Sequence, residues 1–129
     1  MKSIMACIVI LITMNLLGCA SSKWTKADTL REAAFFVVEG MDYLQTKQIV
    51  KDPDRQENNP ILGSNPDQNT IDIYFGACIL GHYLIARYLP SDWEFYGYKF
   101  HPRAAWQWTF IGFESGVVYR NHRKGVKIW

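Results

Sequence analysis

Glu39 and Asp42, one helical turn apart, together with His82 and Glu114, are the side chains in this sequence best suited to chemistry. Carboxylates and an imidazole drawn from separate helices are the parts of a metal site in a helical bundle, or of a proton relay. Glu32, Glu39 and Thr46 recur every seven residues, and Asp42 lies three after Glu39, so these four share one helix face. Gln107, Glu114 and Asn121 repeat at the same interval further along the chain. If both stripes face inward, Glu39, Asp42, His82 and Glu114 converge. The competing reading is structural: solvated faces for the acids, a hydrogen-bonded core position for His82, and Asp42–Thr46 and Glu114–Asn121 locking helices together. The spacing lacks the Glu-x-x-His repeat of di-iron carboxylate bundles. Those four residues are the metal candidates, and none is assigned as catalytic.

Other catalytic patterns are missing. The chain has no glycine-rich phosphate loop, Cys-x-x-Cys, His-Glu-x-x-His or Gly-x-Ser-x-Gly. Ser115 falls inside a helical segment with no elbow turn to activate it. No cofactor is expected, and no enzymatic activity. His101 and His122 sit near helix ends among polar neighbours and are expected at the surface.

Three helices have to position these groups, over about 29–50, 71–89 and 104–121. Residues 25–28 offer polar N-caps to the first, and Asp52-Pro53 stops it, because the residue before proline avoids the helical region. Asn69-Thr70 caps the second, with Asp72 in its first turn, and Pro90 ends it. The third follows His101-Pro102-Arg103. No segment alternates long enough for a convincing strand. The fold expected is all-α: a three-helix bundle, or a hairpin plus a helix.

The second helix approaches the length of a bilayer span, with His82 as its one interior ionisable group. The first holds Glu39 and Asp42, and each carboxylate at a bilayer centre costs about 2.5–3.5 kcal/mol on insertion scales. It should not insert alone. Ala77-x3-Gly81 and Gly112-x3-Gly116 set small residues on one helix face, as close helix packing in lipid requires. Trp24, Trp93, Phe95, Tyr96, Tyr98, Phe100, Trp106, Trp108 and Trp129 crowd the element ends in the manner of interfacial belts. The pattern favours membrane-embedded helices over a soluble tethered domain, although aromatic and glycine-rich helices also pack soluble cores.

The N-terminus supplies an address. Lys2 precedes an apolar run from Ile4 to Ile12, and Leu16-Leu17-Gly18-Cys19 follows. This is the layout of a secretory signal, not of a spanning helix. The tetrapeptide resembles the lipobox of bacterial lipoproteins, over about the first twenty residues. The resemblance implies removal of residues 1–18 as a signal peptide, thioether lipidation of Cys19 and acylation of the new terminus. Two or three acyl chains anchor a protein stably. Residues 19–28 then form a tether, 29–121 one three-helix domain, and 122–129 a basic tail. A sorting rule of enterobacteria would send a chain with Ala20 after the cysteine to the outer membrane; inserted helices would hold it in the inner membrane.

Removing that signal leaves 111 of 129 residues and lowers the formal charge from +2 to +1. One small domain fits. So even a balance gives nucleic acid no clustered basic surface. Cys19 and Cys78 remain, and with Cys19 lipidated no intrachain disulfide forms; Cys78 reads as a core thiol. The mature part also loosely resembles small bacterial membrane proteins with three helices, on Asp42-x3-Thr46, Asn59-Pro60-Ile61-Leu62-Gly63 and a His- and Gly-bearing second helix. In that pattern Asn59-Pro60 is a fixed turn, with a plain surface loop as the alternative; the resemblance implies no known activity. The reading is therefore a lipid-anchored envelope protein with a structural or interaction role, open to self-association or an envelope partner. Two alternatives stand beside it: a membrane-embedded enzyme or ion-handling bundle on Glu39, Asp42, His82 and Glu114, and a soluble periplasmic lipoprotein that binds a protein.

Overall fold

The computed structural model describes residues 23–128. Cys19, the signal segment and Trp129 lie outside the described residues. Three helices, α1 (Lys26–Ile49), α2 (Gln68–Tyr88) and α3 (Pro102–Arg123), are joined by an irregular loop and by a two-stranded hairpin, β1 (Trp93–Phe95) and β2 (Tyr98–Phe100). The fold is mostly helical, consistent with the all-α expectation, with one short hairpin in the second connection. Eight residues hold it, with Trp93 opposite Phe100, Glu94 opposite Lys99 and Phe95 opposite Tyr98.

Local chemistry sets the helix ends. Thr25 caps α1 in a reciprocal box: Asp28 N–H donates to Thr25 Oγ1 at 3.1 Å and Thr25 N–H donates to the Asp28 carboxylate at 2.7 Å. Asp67, not Asn69 or Thr70, caps α2 by accepting from Thr70 N–H at 2.9 Å. Asp72 therefore lies beyond the first turn of α2. Leu89 is extended, as a residue before proline must be, and ends that helix. Beyond α3, Gly125 takes φ +78° and completes a Schellman turn, with Val126 N–H donating to Asn121 O at 3.1 Å. Val126 is buried by that turn, so the basic tail begins folded back on the bundle.

Helix α2 runs antiparallel to α1 and α3. Residues near the start of α1 meet the end of α2 and the start of α3, since His82 pairs with Glu32 and Arg103 with Asp28. At the opposite end Tyr43 O–H donates to Asp72, and Asn121 to Asp42. α1 packs most extensively against α3. An apolar cluster of Leu62, Ile71 and Phe75 closes the far end. Asn59 organises the loop that supplies Leu62. It accepts from Ile61 N–H at 2.9 Å, and its amide donates to Tyr74 Oη at 2.9 Å.

Many polar groups are buried between the helices, while the surface around their middle is uncharged. Asp28, Glu32, Glu39, Gln45, Thr46, His82, Arg103 and Gln107 are buried. Every exposed side chain between Leu30 and Leu44 of α1, Ile73 and Ile85 of α2, and Trp108 and Tyr119 of α3 is uncharged. At 1.5 Å per residue this belt is about 16–21 Å tall. Among the described residues no helix is long and apolar enough to cross a membrane, so the expected spans are not supported. Inward-facing acids on α1 and α3, and charges near both ends of α2, account for this.

Candidate functional site

The interior polar groups form two layers. In the first, Arg103 is fully buried at the junction of all three helices. Its guanidinium donates to the carbonyls of Ala86 (2.9 Å) and Leu89 (2.9 Å) at the C-terminus of α2, to Lys23 O at 3.3 Å, and to Asp28 at 3.1 Å. A cation there satisfies orphan carbonyls and faces the negative end of the helix dipole. Burial alone would raise the Asp28 carboxyl, but hydrogen bonds from Thr25 and Arg103 outweigh it and hold the group below its ordinary range.

One turn further in, Glu32 lies between His82 and Gln107. His82 Nδ1 is 2.9 Å from Glu32 Oε1, and Gln107 Nε2 donates to Glu32 Oε2 at 2.9 Å and to Asp28 O at 3.1 Å. Arg31 Nε closes the chain by donating to Gln107 Oε1 at 2.8 Å. The imidazole stacks on Phe35 at 3.6 Å and on Trp106 at 5.7 Å. His82 Nε2 and Trp106 Nε1 are buried without a hydrogen-bond partner. Glu32 thus orients the ring as a carboxylate orients a general base. The same hydrogen bonds tie α1 to both α2 and α3 in the buried interior.

The second layer opens on a cleft of about 590 Å³ whose lining includes Glu39, Asp42, Glu57, Tyr74, Phe113 and Glu114. Three of the four sequence candidates meet here. Burial, then the charges of Glu114 and Asp42, push the Glu39 carboxyl up to about 8. Burial and Asp42 raise Glu114 to about 7. For Asp42, burial and Glu57 outweigh the Asn121 hydrogen bond and Arg120, taking it to about 6. Burial also lifts the Tyr74 phenol to about 12 and raises the half-buried Cys78 thiol. Burial and mutual repulsion thus favour the protonated form of Glu39, Asp42 and Glu114 well above the ordinary carboxylate range.

The fourth candidate does not join. α2 is antiparallel to α1, so His82 sits level with Glu32, about two helical turns from Glu39. Among the described residues no group of three His, Cys, Asp or Glu is arranged to hold a metal ion. Of the four metal candidates, the three carboxylates share a cleft and the imidazole lies in the other layer.

The small-residue faces point outward, open to a partner and not packed within the chain. Ala77, Gly112 and Gly116 are exposed, and a Cβ added at Gly81, Gly112 or Gly116 would meet nothing within 4 Å. They lie on the outer surface, because polar and aromatic side chains fill the space between helices. His101 and His122 are exposed, with His101 Nδ1 2.8 Å from Asp92. Sequence reasoning missed Arg103, whose signal was Pro102-Arg103 entering a helix just after another had ended. It also missed the hairpin, signalled by Glu94 and Lys99 alternating with aromatics about Tyr96-Gly97.

Comparison with protein-family models, with curated proteins and with solved structures gives no match.

Proposed function

We propose that the protein is a lipid-anchored component of a bacterial cell envelope, held by acylated Cys19, with a structural or interaction role rather than an enzymatic one. The observation that supports it is the uncharged belt around the middle of all three helices. Contiguous apolar patches larger than a few hundred Å² mark protein or membrane contacts. Leu30, Val37, Ile73, Leu80, Trp108 and Phe113 each leave more than half their surface exposed, while the acids that would solvate an ordinary bundle point inward. The belt is the working surface, covered by lipid or by an apolar partner, another copy of the chain included. Its finer form places the bundle within the inner membrane; its contrast is a periplasmic domain tethered by lipid alone.

Alkaline carbonate extraction of membranes carrying a Cys19→Ala chain tests this. Retention in the pellet is expected if the belt contacts lipid or an integral partner. Complete release leaves only the tethered periplasmic form, and failure of the native chain to incorporate labelled palmitate removes the anchor itself.

A second reading has an observation of its own. Glu39, Asp42 and Glu114 around one cleft are suited to proton or cation handling. Proton release on mixing with monovalent or divalent salts measures it, and no change in bound protons would remove it.

A further inference from the structure

The hairpin does not pack on the bundle that carries it. All six of its strand residues are exposed. Its cross-strand pairs sort by chemistry: Trp93 with Phe100 and Phe95 with Tyr98 put four aromatic rings on one face, and Glu94 with Lys99 occupies the other. Those four rings and Tyr96 at the tip are 53–86 % exposed. An isolated two-stranded hairpin is marginal in water, and one with a bare aromatic face lacks the packing that would stabilise it.

The tip adds a cost. Tyr96 has φ +50° and Gly97 φ +80°, the two left-handed residues of a type I′ turn. Asn or Gly is the usual occupant of the first position, and a bulky residue there is a true outlier. Here the strained position carries the most exposed aromatic among the described residues. Strain held at an exposed site points to a use for the side chain.

Position identifies what covers this face. Arg103 N–H donates to Pro90 O, and the Arg103 side chain donates to Lys23 O, which fixes the start of the described chain beside the root of the hairpin. Cys19 precedes Lys23 by four residues, a link of at most about 14 Å when fully extended. Lys23, Lys26, Arg87 and Lys99 are exposed at the same end, against Asp92 and Glu94. Tyr and Trp, with apolar bodies and polar tips, are the residues that settle at a membrane–water boundary.

We infer that the aromatic face of the 93–100 hairpin inserts into the lipid interface into which the acyl chains of Cys19 are set, serving as a second anchor. The inference rests on the lipid-anchor reading at Cys19. It seats the bundle with the α1 N-terminus toward that membrane surface.

Vesicle co-sedimentation of the mature chain, residues 19–129 carrying Cys19→Ala, isolates the hairpin from both the acyl chains and the apolar signal segment. Vesicles of phosphatidylethanolamine and phosphatidylglycerol are the probe. Replacing Trp93, Phe95, Tyr98 and Phe100 with Ser is expected to lower binding about tenfold or more, with helicity by circular dichroism unchanged. Tyr96→Asn suits the left-handed turn, keeps the hairpin and is expected to weaken binding about two- to fivefold. Equal binding by parent and both variants, or no binding by the parent, overturns the inference. Labelling of native chain with palmitate is untouched by these changes and reads the anchor separately, so the two failures are distinguishable.

Discussion

Arg103 and Asp28 form a buried ion pair 3.1 Å apart, with neither side chain more than 3 % exposed. The pair joins α1 to α3, and the same guanidinium closes the end of α2, so one side chain holds all three helices. Removing one partner of a buried pair strands the other charge, at about 3–5 kcal/mol. Arg103→Ala is expected to destabilise the bundle by that amount in urea titration. Arg103→Lys keeps the charge but loses the fork that reaches Ala86 and Leu89 together, and should recover less than half of the loss.

The carboxylate layer predicts a stability that falls as pH rises. The folded values of Glu39, Glu114 and Asp42 are all raised, so each favours the protonated folded state. Their contribution is fully present below the ordinary carboxylate range and is lost as pH climbs through the folded values, from about 4 to about 8. Asp28 acts oppositely, and only in acid, because its folded value is depressed. The thermal midpoint should therefore be highest near or below about pH 4 and fall from there toward pH 8. Glu39→Gln should be neutral there and stabilising by roughly 1–3 kcal/mol at pH 8, flattening the profile. A parent midpoint that rises from pH 5 to pH 8 would contradict the layer as described.

Leu62 and Asn59 tie the loop after α1 to α2 in different ways. Leu62 packs on Ile71 and Phe75. Leu62→Ala should cost about 2–4 kcal/mol by opening a cavity. Asn59→Ala leaves that contact but removes the bonds to Ile61 N–H and Tyr74 Oη, at about 1–2 kcal/mol. Hydrogen exchange resolves the two: the Leu62 change should loosen α2 around Ile71, the Asn59 change only the loop.

What was legible in the sequence follows from how far each signal reaches. Heptad spacing put Glu32, Glu39 and Thr46 on one face, and all three are buried, because spacing along a single helix fixes a face without knowledge of its neighbours. Which residues meet across helices depends on direction and register. The antiparallel run of α2 brings His82 to Glu32 and leaves Tyr74 and Cys78 near the acids, which no single helix could disclose. The Ala77 and Gly112 faces show the same limit: small-residue spacing marks a smooth face but does not say whether its partner lies inside the chain or outside it. Thr25 was readable as a cap from local chemistry, whereas Asp67 was passed over for Asn69, one turn fragment too late. The hairpin strands, three residues each, were too short for an alternation to stand out.

The belt makes the sharpest demand on the proposed role, because its side chains contribute little to the fold itself. Val37, Leu80 and Phe113 come from three different helices and are each about 60 % exposed. Surface substitutions of that kind usually shift stability by no more than about 0.5 kcal/mol each. Replacing all three with Ser should therefore leave the unfolding midpoint of the detergent-free, Cys19→Ala protein nearly unchanged. If the belt is covered in the cell, the same triple change should weaken whatever covers it, and the two measurements separate. The Cys19→Ala chain should then move from the carbonate pellet to the supernatant, and sedimentation should show a smaller species at equal concentration. Were the midpoint to collapse instead, the three side chains would be packing the bundle, contrary to their exposure. With the midpoint held and the fractionation unmoved, the belt would be bare surface, and the interaction role would have to pass to the hairpin or the carboxylate cleft.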